Sequence, residues 1–136
     1  MSRSIRLLLV AAVLSLGVAA GAACGKESTG PVAGVLKVNL TTPNSGADGA
    51  ILLTVTGPTA LTGASAGTGL RLFGQPGAGT SNAFALTGTL KTGAILTIGV
   101  ADVNKVSQYG AAIQQVAATA DFQLRTLTGY SLTVAR

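Results

Sequence analysis

The chain lacks histidine and tryptophan altogether, and it has one cysteine and only four acidic residues among its 136. Without histidine there is no imidazole to act as a general base, and no Cys–His dyad can form. The lone cysteine, Cys24, has no second cysteine with which to form an internal disulfide. The absence of His and Cys clusters also excludes the usual kinds of zinc site. These absences predict a protein that is not an enzyme and carries no cofactor.

The acidic residues are Glu27, Asp48, Asp102 and Asp121. Their spacing does not predict a pair of carboxylates of the kind that hydrolyses glycosides. Asn44 and Asp48 share one loop, and Asp102 and Asn104 share another, which places oxygen ligands where calcium would bind them. Because Asn and Asp are also ordinary turn formers, we expect no metal site and keep calcium binding as the alternative.

Aromatic residues and clustered cations are equally scarce. The net charge is +5, but the cations are scattered and no basic stripe alternates with aromatics, so nucleic-acid binding is not predicted. Carbohydrate sites use exposed aromatic platforms, and the chain has only three Phe and two Tyr. We assign Phe84 and Phe122 to the core and Tyr109 to a corner. Phe73 and Tyr130 then remain as the surface aromatics on which a glycan-binding alternative depends.

What the chain does have is an N-terminal segment typical of bacterial export. Arg3 and Arg6 form a short positive region, residues 7–20 are almost entirely apolar, and residues 21–23 are small. Residues 21–24, Gly-Ala-Ala-Cys, resemble the lipobox of bacterial lipoproteins, in which a peptidase cuts just before a diacylated cysteine. Gly21 stands where that family usually has an aliphatic residue.

The resemblance implies that residues 1–23 are a signal peptide and that Cys24 is lipidated, which would anchor the protein to a membrane of the cell envelope. Gly25 is not the aspartate that retains some lipoproteins in the inner membrane, which implies the outer membrane where the host has one. Two alternatives stay open. Cleavage after Ala22 or Ala23 would release a secreted domain, and an uncleaved residue 7–23 helix would be near the lower length limit for crossing a bilayer.

Residues 24–34 contain turn formers and no periodicity, which predicts a flexible spacer that reaches about 35 Å when extended. From residue 35 the apolar residues alternate, as at Leu36, Val38 and Leu40. The same criterion predicts strands at 50–56, 70–73, 83–90 and 94–103, and a closing hairpin of 122–127 with 130–134. A loop is predicted at 74–82. Residues 59–69 fit a short strand or a loop, and residues 109–118 fit a strand better than a helix.

Seven or eight short strands at roughly 8–12-residue spacing predict an all-β fold for residues 35–136, an antiparallel β-sandwich. Residues 102–116 resemble the loop-to-strand corner of immunoglobulin-like domains, with Tyr109 as the corner tyrosine. In strand count and length the domain is also similar to cohesin-type modules, which bind partner modules. These resemblances imply an immunoglobulin-like sandwich that presents loops or a strand edge to a protein partner at the envelope.

Overall fold

The computed structural model describes residues 30–136, so the predicted signal peptide, Cys24 and most of the predicted spacer lie outside the described residues. The strands are β1 (Gly34–Thr41), β2 (Asp48–Thr56), β3 (Gly63–Ala66), β4 (Arg71–Phe73), β5 (Ser81–Leu90), β6 (Gly93–Val100), β7 (Gly110–Ala118) and β8 (Ser131–Ala135), with a 3₁₀ segment at Val103–Gln108. Residues 31–136 form one compact unit. No helix in residues 30–136 is long and apolar enough to cross a membrane.

Two four-stranded antiparallel sheets face each other across the core. Sheet A has the order β3-β6-β1-β8, and sheet B has the order β4-β5-β2-β7. The predicted antiparallel β-sandwich is therefore confirmed. The strand order differs from that of an immunoglobulin constant domain at its start. Here β1 and β2 lie in opposite sheets, whereas the first two strands of the constant domain share one sheet.

Period-two alternation explains why these segments form a sandwich. In β1 the side chains of Leu36, Val38 and Leu40 are buried, and in β2 those of Ile51 and Leu53 are buried. Residues between them point to the outer faces, as the pleat requires. The inward sets of the two sheets form a single core that is mostly aliphatic and also contains Phe84, which is 1% exposed, and Tyr109.

Several finer predictions are confirmed. Residues 109–118, for which a helix stayed open, form strand β7 from Gly110 onward. The ambiguous segment 59–69 contains the short strand β3. Near the end of the predicted spacer, the Val32 carbonyl accepts a hydrogen bond from Val103 N at 2.8 Å.

The predicted closing hairpin is wrong in its first half. Residues 122–127 form no strand and make one isolated bridge, Ala117 with Leu124. Phe122 adopts φ +56°, a left-handed conformation that interrupts an extended run. Its side chain is 77% exposed, so its assignment to the core is also wrong.

Tyr109 is buried as predicted for a corner residue, but its partner differs. Its hydroxyl lies 3.4 Å from Thr59 Oγ1, in the connection after β2 rather than in the loop before Tyr109. The ring packs against Gly57, where a Cβ atom would collide with the ring carbons Cε1 and Cδ1. Gly57 is therefore required for a close approach between backbone and ring.

Candidate functional site: a buried carboxylate and an apolar sheet face

Asp48, at the start of β2, is the centre of a buried polar cluster. Its side chain is fully buried, and its Oδ2 accepts a 2.6 Å hydrogen bond from the Thr42 hydroxyl. The Tyr130 hydroxyl donates to both carboxylate oxygens at 3.0 Å. Arg125 Nε donates to Oδ1 at 3.1 Å and forms an ion pair. Both oxygens are thus occupied by donors from the protein itself.

The cluster ties residues 119–130, the connection between β7 and β8, to the body of the sandwich. Besides its contact with Asp48, Arg125 donates from Nη2 to the Ala47 carbonyl at 3.4 Å and from its backbone N to Val116 at 2.7 Å. The Asn44 amide donates to the Tyr130 hydroxyl at 2.9 Å. A buried carboxylate needs such donors to offset its desolvation. Here Thr42 donates from the body of the sandwich, and Arg125 and Tyr130 donate from the connection.

In the Asn44 and Asp48 pair considered for calcium, the Asp48 carboxylate is therefore already engaged by protein donors. The Asn44 side chain directs its Nδ2, a donor, into the cluster, while both oxygens of Asp48 are engaged. Among residues 30–136 no group of three or more His, Cys, Asp or Glu side chains converges on one point. The geometry indicates a structural role for this cluster.

The second predicted pair, Asp102 and Asn104, forms a helix cap. Asp102 Oδ1 accepts from the backbone N of Asn104 at 3.0 Å and from that of Val32 at 3.3 Å. These backbone donors, first Asn104 and then Val32, lower the pKa of Asp102 below its ordinary value of 3.8. Asp102 thereby caps the 3₁₀ segment and fixes the chain as it enters β1.

The two aromatics predicted to lie at the surface differ in their environment. Phe73 lies on the outer face of sheet B and is 53% exposed. Tyr130 is half-buried and its hydroxyl is engaged with Asp48. Of the two, only Phe73 offers a free ring face, so the structure does not bring the predicted pair together as one platform.

The outer faces of the two sheets differ in chemistry. Sheet A presents a polar surface whose outward residues include Lys37, Asn39, Thr97 and Thr133, each paired with another of them across neighbouring strands. Val35 of β1, 58% exposed, is the large apolar residue of this face. The outer face of sheet B can be compared with it directly.

The outer face of sheet B is apolar and rich in alanine. The register aligns its outward residues in cross-strand rows, one of Phe73, Ala85, Leu52 and Gln115, and the next of Arg71, Thr87, Ala50 and Ala117. The bridge between Ala117 and Leu124 extends the second row. Arg71 is the one charged side chain in these two rows.

A groove of about 240 Å³ lies in this face. Its lining includes the alanines Ala50, Ala85 and Ala117, with Leu52 and Leu124 at its sides. Leu52 is 37% and Leu124 is 64% exposed, so large apolar side chains border a shallow depression made by small ones. We name this surface, formed by the two rows and Leu124, the sheet-B face.

Sequence reasoning missed the sheet-B face. The available signal was the alanine at outward positions of β5 and β7, where solvated strands usually carry polar residues. It was hidden because alanine is compatible with either burial or exposure. The strand pairing was needed to show that these alanines and Leu52 share one surface.

Residue Cys24, the predicted lipidation site, lies outside the described residues.

The chain matches no protein-family model, no curated protein and no solved structure.

Proposed function

We propose that this protein is an exported, lipid-anchored lipoprotein of the cell envelope whose β-sandwich has a non-catalytic binding or scaffolding role. The anchor would be the lipid on Cys24, which follows a positive, apolar and small-residue segment in the order that export requires. Two or three acyl chains, at about 0.8 kcal/mol per buried methylene, hold a protein firmly on a membrane.

The state of the acidic residues supports a non-catalytic role. Asp48 accepts bonds from three side chains, and Asp102 caps the 3₁₀ segment. Asp121 Oδ1 accepts from the backbone N of Gln123 at 3.1 Å. Each of these carboxylates has a structural partner, and general acid–base chemistry needs a carboxyl group held against a substrate instead.

The sheet-B face is the observation that carries the binding role. Phe73, Leu52 and Leu124 are exposed around a groove lined by small residues, and apolar side chains around a depression are typical of binding sites. The opposite sheet shows that this fold is compatible with a polar outer face. The apolar character therefore belongs to this side of the molecule.

The direction of the strands sets how such a face would be presented. The chain enters β1 at Gly34, whereas the Asp48 cluster lies beyond the other end of β1, next to the pairing of Thr41 with Ser131. An eight-residue strand spans roughly 25 Å. A spacer from Cys24 would join one end of the sandwich and leave the sheet-B face accessible from the side.

Intact mass spectrometry of the protein from the membrane fraction of an expressing bacterium tests the anchor. The expected result is a chain that begins at Cys24 and carries the added mass of acyl groups. A matched Cys24→Ala variant should lose that mass. A wild-type chain that begins at Cys24 or Ala23 without lipid would refute the anchor and indicate a secreted domain.

A glycan-binding module is the alternative, favoured by the exposed ring of Phe73 beside the groove. It predicts binding to a glycan array that Phe73→Ala abolishes. Tyr130→Phe, which keeps the ring and removes a hydroxyl engaged with Asp48, should leave that binding unchanged.

A further inference from the structure

We propose that the end of the sandwich at which the chain enters β1 contacts the anionic surface of the bilayer that holds the anchor. This inference rests on the lipid anchor proposed above, and it adds which part of the domain faces the membrane. Protein surfaces that bind anionic lipid combine exposed apolar side chains with Lys and Arg around them. We name this part of the domain, formed by residues 31–37, 101–108 and 135–136, the β1 entry end.

Two valines supply the apolar part of the β1 entry end. Val32 is 47% exposed and Val35 is 58% exposed. The Val32 carbonyl accepts a hydrogen bond from Val103 N at 2.8 Å, and its backbone N donates to Asp102 Oδ1 at 3.3 Å. Val35 lies on the outer face of β1 and is paired with Gly99 of β6. Both exposed valines are thus held in place by backbone pairing.

Three exposed cations accompany these valines. Lys37 follows Val35 on the same face of β1 and is paired with Ala135, which Arg136 directly follows. Lys105 lies in the 3₁₀ segment, which packs against β1 and β8. No carboxylate of an acidic side chain in residues 30–136 forms an ion pair with any of the three. Their charges are therefore available to anionic lipid headgroups.

Asp102 is the acidic side chain of this end. Its Oδ1 accepts hydrogen bonds from the backbone N of Asn104 at 3.0 Å and of Val32 at 3.3 Å. These donors compensate part of its negative charge. The cationic side chains therefore dominate the β1 entry end.

Among residues 30–136, the charged side chains at the opposite end of the sandwich are balanced. That end carries Lys91, in the turn between β5 and β6, and Arg125, in the connection after β7. Arg125 forms an ion pair with Asp48, and Asp121 belongs to the same connection. Arg71 lies on the outer face of sheet B. The excess of positive side chains is therefore found where the chain comes from the proposed anchor.

The length of chain before the domain keeps the β1 entry end close to the bilayer. Val32 comes eight residues after Cys24, and eight residues span at most about 28 Å. Confinement of this kind gives a millimolar effective concentration of one surface near the other. A contact too weak to hold a free protein is then occupied in the anchored one. Each Lys or Arg near an anionic membrane favours such a contact by about fivefold.

The absence of tryptophan provides a site-specific test. Val35→Trp introduces a unique fluorophore at the β1 entry end, and Phe122→Trp, 77% exposed in the wild type, is the matched control at the opposite end. The mature chain is coupled through Cys24, its only thiol, to a maleimide lipid in vesicles. The vesicles contain brominated phosphatidylcholine, which quenches tryptophan, either alone or mixed with phosphatidylglycerol. Circular dichroism verifies that each variant folds.

The expected result is quenching of Val35→Trp that is at least about threefold stronger with phosphatidylglycerol than without it, and little quenching of Phe122→Trp in either vesicle. Adding Lys105→Glu to the Val35→Trp chain should lower the quenching in anionic vesicles by at least about threefold, because an attraction becomes a repulsion. Lys37→Glu, on a different element, should have the same effect. Lys91→Glu makes the same change in net charge at the opposite end and should leave the quenching unchanged.

Equal quenching of the two tryptophans, or quenching of Val35→Trp that is absent or independent of phosphatidylglycerol, would overturn the contact. Equal effects of Lys105→Glu and Lys91→Glu would also overturn it. These results leave the proposed anchor standing, because the coupling to Cys24 supplies the lipid chemically. Intact mass of the protein from the bacterium tests the anchor separately, and an unlipidated chain there would refute the anchor and, with it, the contact in the cell.

Discussion

Replacing Asp48 by alanine should destabilise the sandwich more than any other single change to an acidic residue. The carboxylate is fully buried and accepts hydrogen bonds from Thr42, Arg125 and Tyr130. Its removal leaves three donors without their acceptor. The buried Thr42 hydroxyl cannot regain water, whereas the Arg125 side chain, 31% exposed, can do so in part.

The magnitude follows from these contacts. Hydrogen bonds to a charged group contribute about 1.5–3 kcal/mol each, but partial rehydration and relief of the buried charge reduce their sum. Removing one partner of a buried pair typically costs about 3–5 kcal/mol, and we expect Asp48→Ala to fall in that range. Since small domains have about 5–15 kcal/mol of stability, the variant should still fold.

Urea denaturation of the mature Cys24→Ser chain, followed by far-ultraviolet circular dichroism, measures the loss in free energy of unfolding. Asp121→Ala is the matched control, because Asp121 is exposed and accepts one hydrogen bond, from Gln123 N. Tyr130→Phe should cost about 1–2 kcal/mol in the wild-type background and less in the Asp48→Ala background, where the hydroxyl keeps only its hydrogen bond from Asn44. A loss below about 1 kcal/mol for Asp48→Ala, or additive effects in the double variant, would refute the reasoning.

Three further perturbations test other parts of the domain. Because the pKa of Asp102 is lowered in the folded state, its contribution to stability is present above its unfolded pKa and is lost as pH falls through the folded pKa. Asp102→Asn should therefore reduce the loss of unfolding free energy that urea titrations measure as pH falls from about 5 to 2. Gly57→Ala should destabilise by about 1–3 kcal/mol through collision with the facing ring, whereas Gly63→Ala, with open space around its Cα, should not, and equal melting temperatures would contradict the packing. Leu53→Ala should cost about 2–5 kcal/mol while Leu52→Ala, one residue away on the outer face, should cost far less; similar losses would mean that the facing of β2 is misassigned.

Most strands could be predicted because the alternation of side chains is written in local sequence. Leu36, Val38 and Leu40 define the inward face of β1, and the same pattern located β2, β5 and β6. Residues 110–118 form a strand and not a helix because β7 pairs with β2 along its length. An isolated alanine-rich segment has no such partner, so its local propensity alone left the helix open.

The error at residues 122–127 has a different cause. The segment alternates well enough to suggest a strand, but Phe122 turns left-handed and Arg125 is bound by Asp48, 77 residues earlier in the chain. A contact between residues so distant in sequence cannot be inferred from a local pattern. The aromatic residue assigned to the core therefore lies at the surface.

The sequence by itself determined the all-β class, because a period of two allows one face of a pleated strand to be apolar, and it determined the aliphatic core residues of the strands that alternate, such as Leu36, Val38 and Leu40. Its composition also determined how little side-chain chemistry the domain has available. Only the tertiary structure decided that Asp48 is a buried structural carboxylate and that Leu52 shares a surface with the alanines of neighbouring strands. The burial of Asp48 and the surface around Leu52 both depend on strand order and register, which bring together residues that are far apart in the chain. Local sequence patterns do not show which of these distant residues become neighbours.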